Sequence, residues 1–163
     1  MSKIILILLA LLIQLGVFGQ SVTATYTLGN SNTDSGFQSL PGASSCPIPL
    51  SVTIPAGARI TGVDVAYTMV TANSGWRDEQ RSELRCVSPG GVNEGVLAVG
   101  CCGSGGTQNY NRTGLNIANG VTGGGVINFE LHAGRTWSSA GYAGCSMYNN
   151  RVNNNWTITV HYA

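Results

Sequence analysis

The sequence predicts an all-β protein, a two-sheet antiparallel β-sandwich or jelly roll behind a cleaved leader. Three observations carry this. Apolar residues recur with period two in segment after segment, while a 3.6-residue period appears nowhere. Clusters of Gly, Pro, Ser and Asn separate those segments, as turns do. Charged residues make up only 9% of the chain, and a surface built from Thr, Ser and Asn suits strands and turns better than solvated helices.

The leader comes first. Lys3 precedes an apolar run from Ile4 to Ile13, Gln14 interrupts it, and Val17-Phe18-Gly19 supplies small residues at a cleavage point. A lone cation, a short apolar stretch and small residues form the pattern of a secretory signal peptide. The run is short of the roughly 20 apolar residues needed to cross a bilayer. Cleavage is expected after Gly19, giving a signal peptide over 1–19 and one domain over 20–163. The expected location is secreted, extracellular or, in a bacterium, periplasmic.

The strands follow in order. Val22, Ala24, Tyr26 and Leu28 alternate with threonines. Val52 and Ile54 flank Thr53 before the turn Pro55-Ala56-Gly57, and Val63, Val65, Tyr67 and Met69 alternate with Asp64, Ala66 and Thr68. Leu84 and Cys86 alternate with Glu83 and Arg85 ahead of Ser88-Pro89-Gly90-Gly91. Val96–Val99 is a continuous apolar run, read as a fully buried strand. Ile127, Phe129 and Leu131 alternate with Asn128, Glu130 and His132, and Trp156, Ile158, Val160 and Tyr162 close the chain in the same pattern. Gly29–Gly36, Gly103–Gly106, Gly123–Gly125 and Asn149–Asn155 are read as turns.

The only lysine lies in the leader, so seven arginines face seven acids beyond it and the mature net charge is zero with His neutral. Such a chain exerts no long-range pull on nucleic acid or anionic lipid. Neither is expected as a partner, and no membrane association is expected after cleavage. Five cysteines in an exported chain imply pairing with one left over. The expected bridges are Cys46–Cys145 and Cys86 with either Cys101 or Cys102.

Val52-Thr53-Ile54-Pro55-Ala56-Gly57, Ile60-Thr61-Gly62-Val63-Asp64-Val65 and Glu83-Leu84-Arg85-Cys86-Val87-Ser88-Pro89-Gly90-Gly91 resemble the P-domain of proprotein convertases and its bacterial relatives. The segments around Phe129–Leu131, Gly144-Cys145 and Asn154–Val160 are similar to small secreted β-domains of Gram-negative bacteria. The resemblance implies a galactose-binding-like jelly roll, an accessory domain without its protease. Ser82-Glu83-Leu84 stands where that family carries Gly-Asp-Leu. Jelly rolls of this type often hold a structural calcium. Asp78, Glu79 and Glu83 offer oxygens for one, although Arg77, Arg81 and Arg85 are interleaved with them. The alternative for this charged stretch is a solvated edge strand whose charges discourage pairing with other chains. No other cofactor is expected.

Catalytic signals are sparse. There is no Gly-x-Ser-x-Gly elbow and no phosphate loop with a lysine. His132 and His161 fall on polar strand faces, with Glu130 two residues from His132. The leading expectation is therefore a non-catalytic domain, not an enzyme, that binds or assembles at the cell exterior. An extracellular protein or glycan would be its partner. A second reading is a carbohydrate-binding module using loop aromatics beside polar groups: Trp76 with Arg77, Trp137 with Arg135, and Tyr142. A third is a small hydrolase using Glu130 and His132. Asn111-Arg112-Thr113 and Asn155-Trp156-Thr157 match the N-glycosylation acceptor pattern.

Overall fold

A computed structural model describes residues 19–37, 44–72, 75–137 and 144–163. The expected leader lies outside the described residues except for Gly19, and Tyr142 lies outside them too. Ten strands run in order: β1 (Gln20–Thr25), β2 (Ser31–Ser35), β3 (Ile48–Ile54), β4 (Ile60–Val70), β5 (Gln80–Cys86), β6 (Ala98–Val99), β7 (Thr107–Leu115), β8 (Gly125–Arg135), β9 (Ser146–Val152) and β10 (Thr157–Tyr162). A single 3-10 turn, Arg77–Glu79, precedes β5. Among the described residues no helix is long and apolar enough to cross a membrane.

One layer places β4 between β7 on one side and β10 then β9 on the other, with β1 on the outer edge of β10. The second layer places β8 between β3 and β5, with β6 on the edge of β5. Strand β2 belongs to both. Its first residues run antiparallel to β9, and Asp34 and Ser35 run parallel to the end of β8. The two layers are thus continuous along one side through β2, and β2–β8 is the one parallel pairing among the described strands. To the expected two-layer antiparallel sandwich the structure adds this junction and its one parallel pairing. Such a junction lets a short polar strand close the sandwich without leaving two open edges.

The inward faces follow the alternation. Val63, Val65 and Met69 from β4 and Ile158 and Val160 from β10 meet Val52, Ile54, Leu84, Ile127, Phe129 and Leu131 in one buried cluster around Trp156. Tyr67 and Tyr110 stack with ring centroids 5.0 Å apart. From the first layer their hydroxyls cross the interior to the second: Tyr67 meets Ser82 Oγ at 2.5 Å, and Tyr110 donates to Gln80 Oε1 at 2.9 Å.

Two sequence expectations are corrected. Val96 and Val99 are 70% and 57% exposed, because β6 is a two-residue edge strand held only by Arg81 and Ser82. Ser31–Ser35 and residues 149–152, inside the stretches Gly29–Gly36 and Asn149–Asn155 read as turns, are strand. Their pairing relies on buried polar groups: Thr33 Oγ1 donates to Asn150 O, and Asn149 Nδ2 donates to Thr33 O at 3.2 Å. Strand β7, in a stretch that shows no alternation of apolar residues, has Tyr110 buried at its middle.

Candidate functional site

The end of the sandwich where β5 begins and β8 finishes gathers the residues that sequence reasoning had treated separately. Gln80 pairs with Arg135 across the ladder, and Thr136 N–H donates to Glu79 O at 3.0 Å. That register brings Trp76, three residues before Glu79, to the same end as Trp137. Both indoles stay outside, 54% and 39% exposed. The Arg135 guanidinium lies 4.0 Å from the Trp137 ring centroid, a cation–π contact that covers one face of the ring. Arg135 itself is 1% exposed. The expected ligand contact from Arg135 is therefore corrected: the side chain faces inward on β8 and supports Trp137 from beneath.

A loop missed as a site completes this end. Gly100 to Gly106 returns from β6 to β7 and is tied to the 3-10 turn at several points. Arg77 donates to Cys102 O at 2.6 Å and to Ser104 O at 3.2 Å. Gly103 N–H donates to Asp78 Oδ1 at 3.0 Å. Gly100 must be glycine, since a Cβ there would stand 1.9 Å from Arg77 O. At the tip, Cys101 and Cys102 are bonded to each other. Both are exposed, and Cys102 takes a positive φ of 73°. The signal was the bare Cys-Cys pair in a glycine loop.

This overturns the bridges expected from Cys86. Cys86 is a buried free thiol whose pKa burial pushes up. Because β6 pairs with the start of β5, Cys101 lies beyond Gln80, while Cys86 is six residues further along the strand. At the usual rise that is of order 20 Å. The other bridge, Cys46–Cys145, is present.

The carboxylates considered for calcium part company. Glu79 Oε2 accepts the Trp76 N–H at 3.2 Å, and Asp78 is held by Gly103. Glu83 is fully buried on β5 and paired with Arg85, whose Nε donates to its Oε1 at 2.5 Å. Among the described residues no three His, Cys, Asp or Glu side chains converge to hold a metal ion. The solvated-edge reading holds only in part: β6 covers Arg81 and Ser82 alone, and Glu83 is buried rather than solvated.

Glu130 and His132 do meet, Oε2 to Nε2 at 3.0 Å, but not on a solvated face. The segment before β3 crosses over His132 and leaves it 2% exposed. The Ser44 N–H donates to His132 Nδ1 at 3.1 Å, with Ser44 Oγ also 3.1 Å away. An N–H can only donate, so Nδ1 is the acceptor and Nε2 carries the proton toward Glu130. Phe37 closes the same crossing over Gly134, where a Cβ would stand 2.6 Å from Phe37 Cβ. Both ring nitrogens are thus occupied, Nδ1 by Ser44 of the strap and Nε2 by Glu130 of the same strand.

The His132 geometry sets a pH dependence. Burial lowers the His132 pKa from its ordinary 6.5, and the Glu130 contact only partly offsets it. A depressed histidine favours the fold while neutral. Its contribution is complete above the ordinary value and is lost as pH falls below it toward the folded value. Glu83 has the opposite sign. Burial raises its pKa above 4.5, so its contribution is complete below that value and is lost as pH rises through the folded pKa. Melting curves from pH 7.5 to 5 are expected to show wild type losing stability relative to His132→Asn. A gap that does not narrow on acidification contradicts the Ser44–His132 lock.

No family model matches the chain, and no curated protein matches it. Among solved structures it is similar to infectious bursal disease virus, Gx strain, at 14% identity and TM-score 0.44 over 88% of this chain and 32% of that one. It is also similar to dimeric latent PorU from Porphyromonas gingivalis, at 9% identity and TM-score 0.45 over 88% of this chain and 12% of that one. A third is the VP2 subviral particle of infectious bursal disease virus, at 12% identity and TM-score 0.36 over 89% and 33%. The chain spans a third or less of the length of these proteins, and the likeness is one of β architecture alone.

Proposed function

We propose that the chain is a non-catalytic binding domain working outside the cell, with its ligand end formed by Trp76, Trp137, Arg77 and the Cys101–Cys102 loop. The observation that carries this is that two exposed indoles, one backed by a guanidinium, lie at the same end of the sandwich, with Trp76 beside a loop fixed by hydrogen bonds. Rigid aromatic faces beside polar groups suit the C–H faces and hydroxyls of a sugar ring. The half-exposed Trp137 already has its cationic support in place, so its orientation costs little on binding. The Cys46–Cys145 bridge supports export. The His132–Glu130 pair gives no comparable support for hydrolysis, because its imidazole is covered by the strap.

A glycan array probed with wild type, Trp76→Ala and Trp137→Ala tests this. Each substitution is expected to weaken a bound glycan about thirtyfold, the scale of a ~2 kcal/mol hot spot. Binding that survives both substitutions removes this end from the proposal.

A further inference from the structure

The outward face of the β1–β10–β4–β7 layer carries a second feature, on a different surface from the tryptophan end. Two adjoining depressions of about 290 and 270 Å³ lie along β4 and share Ala66, Asn111 and Thr157. Register explains the trough. Ala66 pairs with Asn111 of β7 on one side and with Thr157 of β10 on the other. A methyl group thus stands in a row of longer polar side chains. Thr68 pairs with Asn109 in the next row, and Asn155 closes the end of the first depression. The trough runs from Thr68 to Asp64, about 13 Å at the usual strand rise. That length fits a short chain of sugars better than a single ring.

The chemistry of the walls is narrow. Asn109, Asn111 and Asn155 are exposed amides, each offering donors and an acceptor, and Thr68 and Thr157 add hydroxyls. The charged residues at the margin are committed elsewhere. Partial burial alone would raise Asp64, but the Gly114 N–H and His161, each 2.8 Å away, outweigh it and hold the carboxyl below its ordinary value. Arg112 is bound to Glu94. The face therefore gives an anionic or cationic polymer no free countercharge, and the Asp64 end of the trough, lined mainly by apolar atoms, offers a surface for the C–H faces of sugar rings. It matches an uncharged ligand dense in hydroxyl groups, which can trade hydrogen bonds with amides one for one.

We infer that this trough is a binding groove for a neutral, unbranched polysaccharide, centred on Ala66 and read by Asn109 and Asn111. It stands independently of the tryptophan end.

The test is native affinity electrophoresis of the mature, oxidised chain made in a host without N-glycosylation, since Asn111 and Asn155 both sit in acceptor patterns. Gels would contain hydroxyethyl cellulose, xylan, glucomannan or dextran, with polygalacturonate as the charged comparison. Retardation is expected on at least one neutral polymer and not on polygalacturonate. Affinity should fall at least about tenfold in Ala66→Trp, which fills the trough, and in Asn109→Ala/Asn111→Ala. The latter changes only exposed side chains and keeps the test decisive if Ala66→Trp does not fold. Thr53→Ala, at an exposed position on β3 of the other layer, should bind as wild type. No retardation on any neutral gel overturns the inference, as does a preference for polygalacturonate or retardation that both groove variants leave intact. Retardation abolished by Trp137→Ala alone assigns the binding to the other end and removes the groove.

Discussion

Replacing Glu94 with Ala is expected to destabilise the protein by about 3–5 kcal/mol, the cost of leaving a buried charge without its partner. Glu94 sits on an irregular stretch, yet its side chain is only 3% exposed and Arg112 only 17%. The pair is bidentate, with Nε to Oε1 at 2.6 Å and NH2 to Oε2 at 2.8 Å. Glu94 also accepts the Leu84 N–H, where β6 has ended and β5 has no further strand on that side. Arg112 in turn donates to the Tyr67 hydroxyl, which meets Ser82. One carboxylate therefore finishes a strand edge and anchors a chain of contacts between the layers. Glu94→Gln keeps an acceptor for Leu84 and should lose less. Arg112→Met in the Glu94→Ala background should recover part of the loss, because no charge then remains buried. Urea unfolding measures all three. A change below about 1 kcal/mol for Glu94→Ala would mean that the pair behaves as a solvated surface bridge.

The contrast between Leu84 and Glu83 shows where sequence reading works here. Leu84, Phe129, Ile158 and their neighbours alternate with polar residues. Hydrophobic burial rewards that pattern directly, so the long strands β4, β5, β8 and β10 are visible without structure. Strands β2, β7 and β9 are not. Their inward positions include Thr33, Asn149 and Tyr110, whose burial depends on hydrogen-bond partners more than a hundred or some tens of residues away. Polar burial is specified by a partner, and a single segment does not reveal its partner. The same logic hid the His132 strap. The face of β8 carrying Glu130 and His132 reads as solvated until Ser44 and Phe37 are seen to cross it. At the candidate site, Trp76 and Trp137 were individually legible as aromatics near loops. Their convergence rests on the β5–β8 register, which runs through the buried pair Gln80 and Arg135. The Cys101–Cys102 bond was obscured for a simpler reason. Alternation along a strand sends adjacent side chains to opposite faces, whereas the positive φ at Cys102 takes the pair out of that geometry.

Removing the Cys46–Cys145 bridge is expected to have an effect of similar size by a different route. The bond joins residues 99 apart in sequence. For a loop of that length the chain-entropy model gives about 4–5 kcal/mol, acting through the unfolded chain. It also ties the strap to β9. Cys46 follows Ser44, which holds His132, and Cys145 immediately precedes β9, which pairs with β2. Cys46→Ser/Cys145→Ser should therefore lower the melting temperature by about 10 °C or more and weaken the pH dependence set by His132. Cys101→Ser/Cys102→Ser offers the comparison. A link between adjacent residues excludes almost no conformations of the unfolded chain, so its loss should cost under about 1 kcal/mol and be felt at the Trp76 end. Alkylation with mass measurement sets the baseline, with a single modified thiol expected on the unreduced protein, and only after unfolding exposes Cys86. The reverse order of stability losses would place the restraint in the glycine loop and leave the strap to its hydrogen bonds alone.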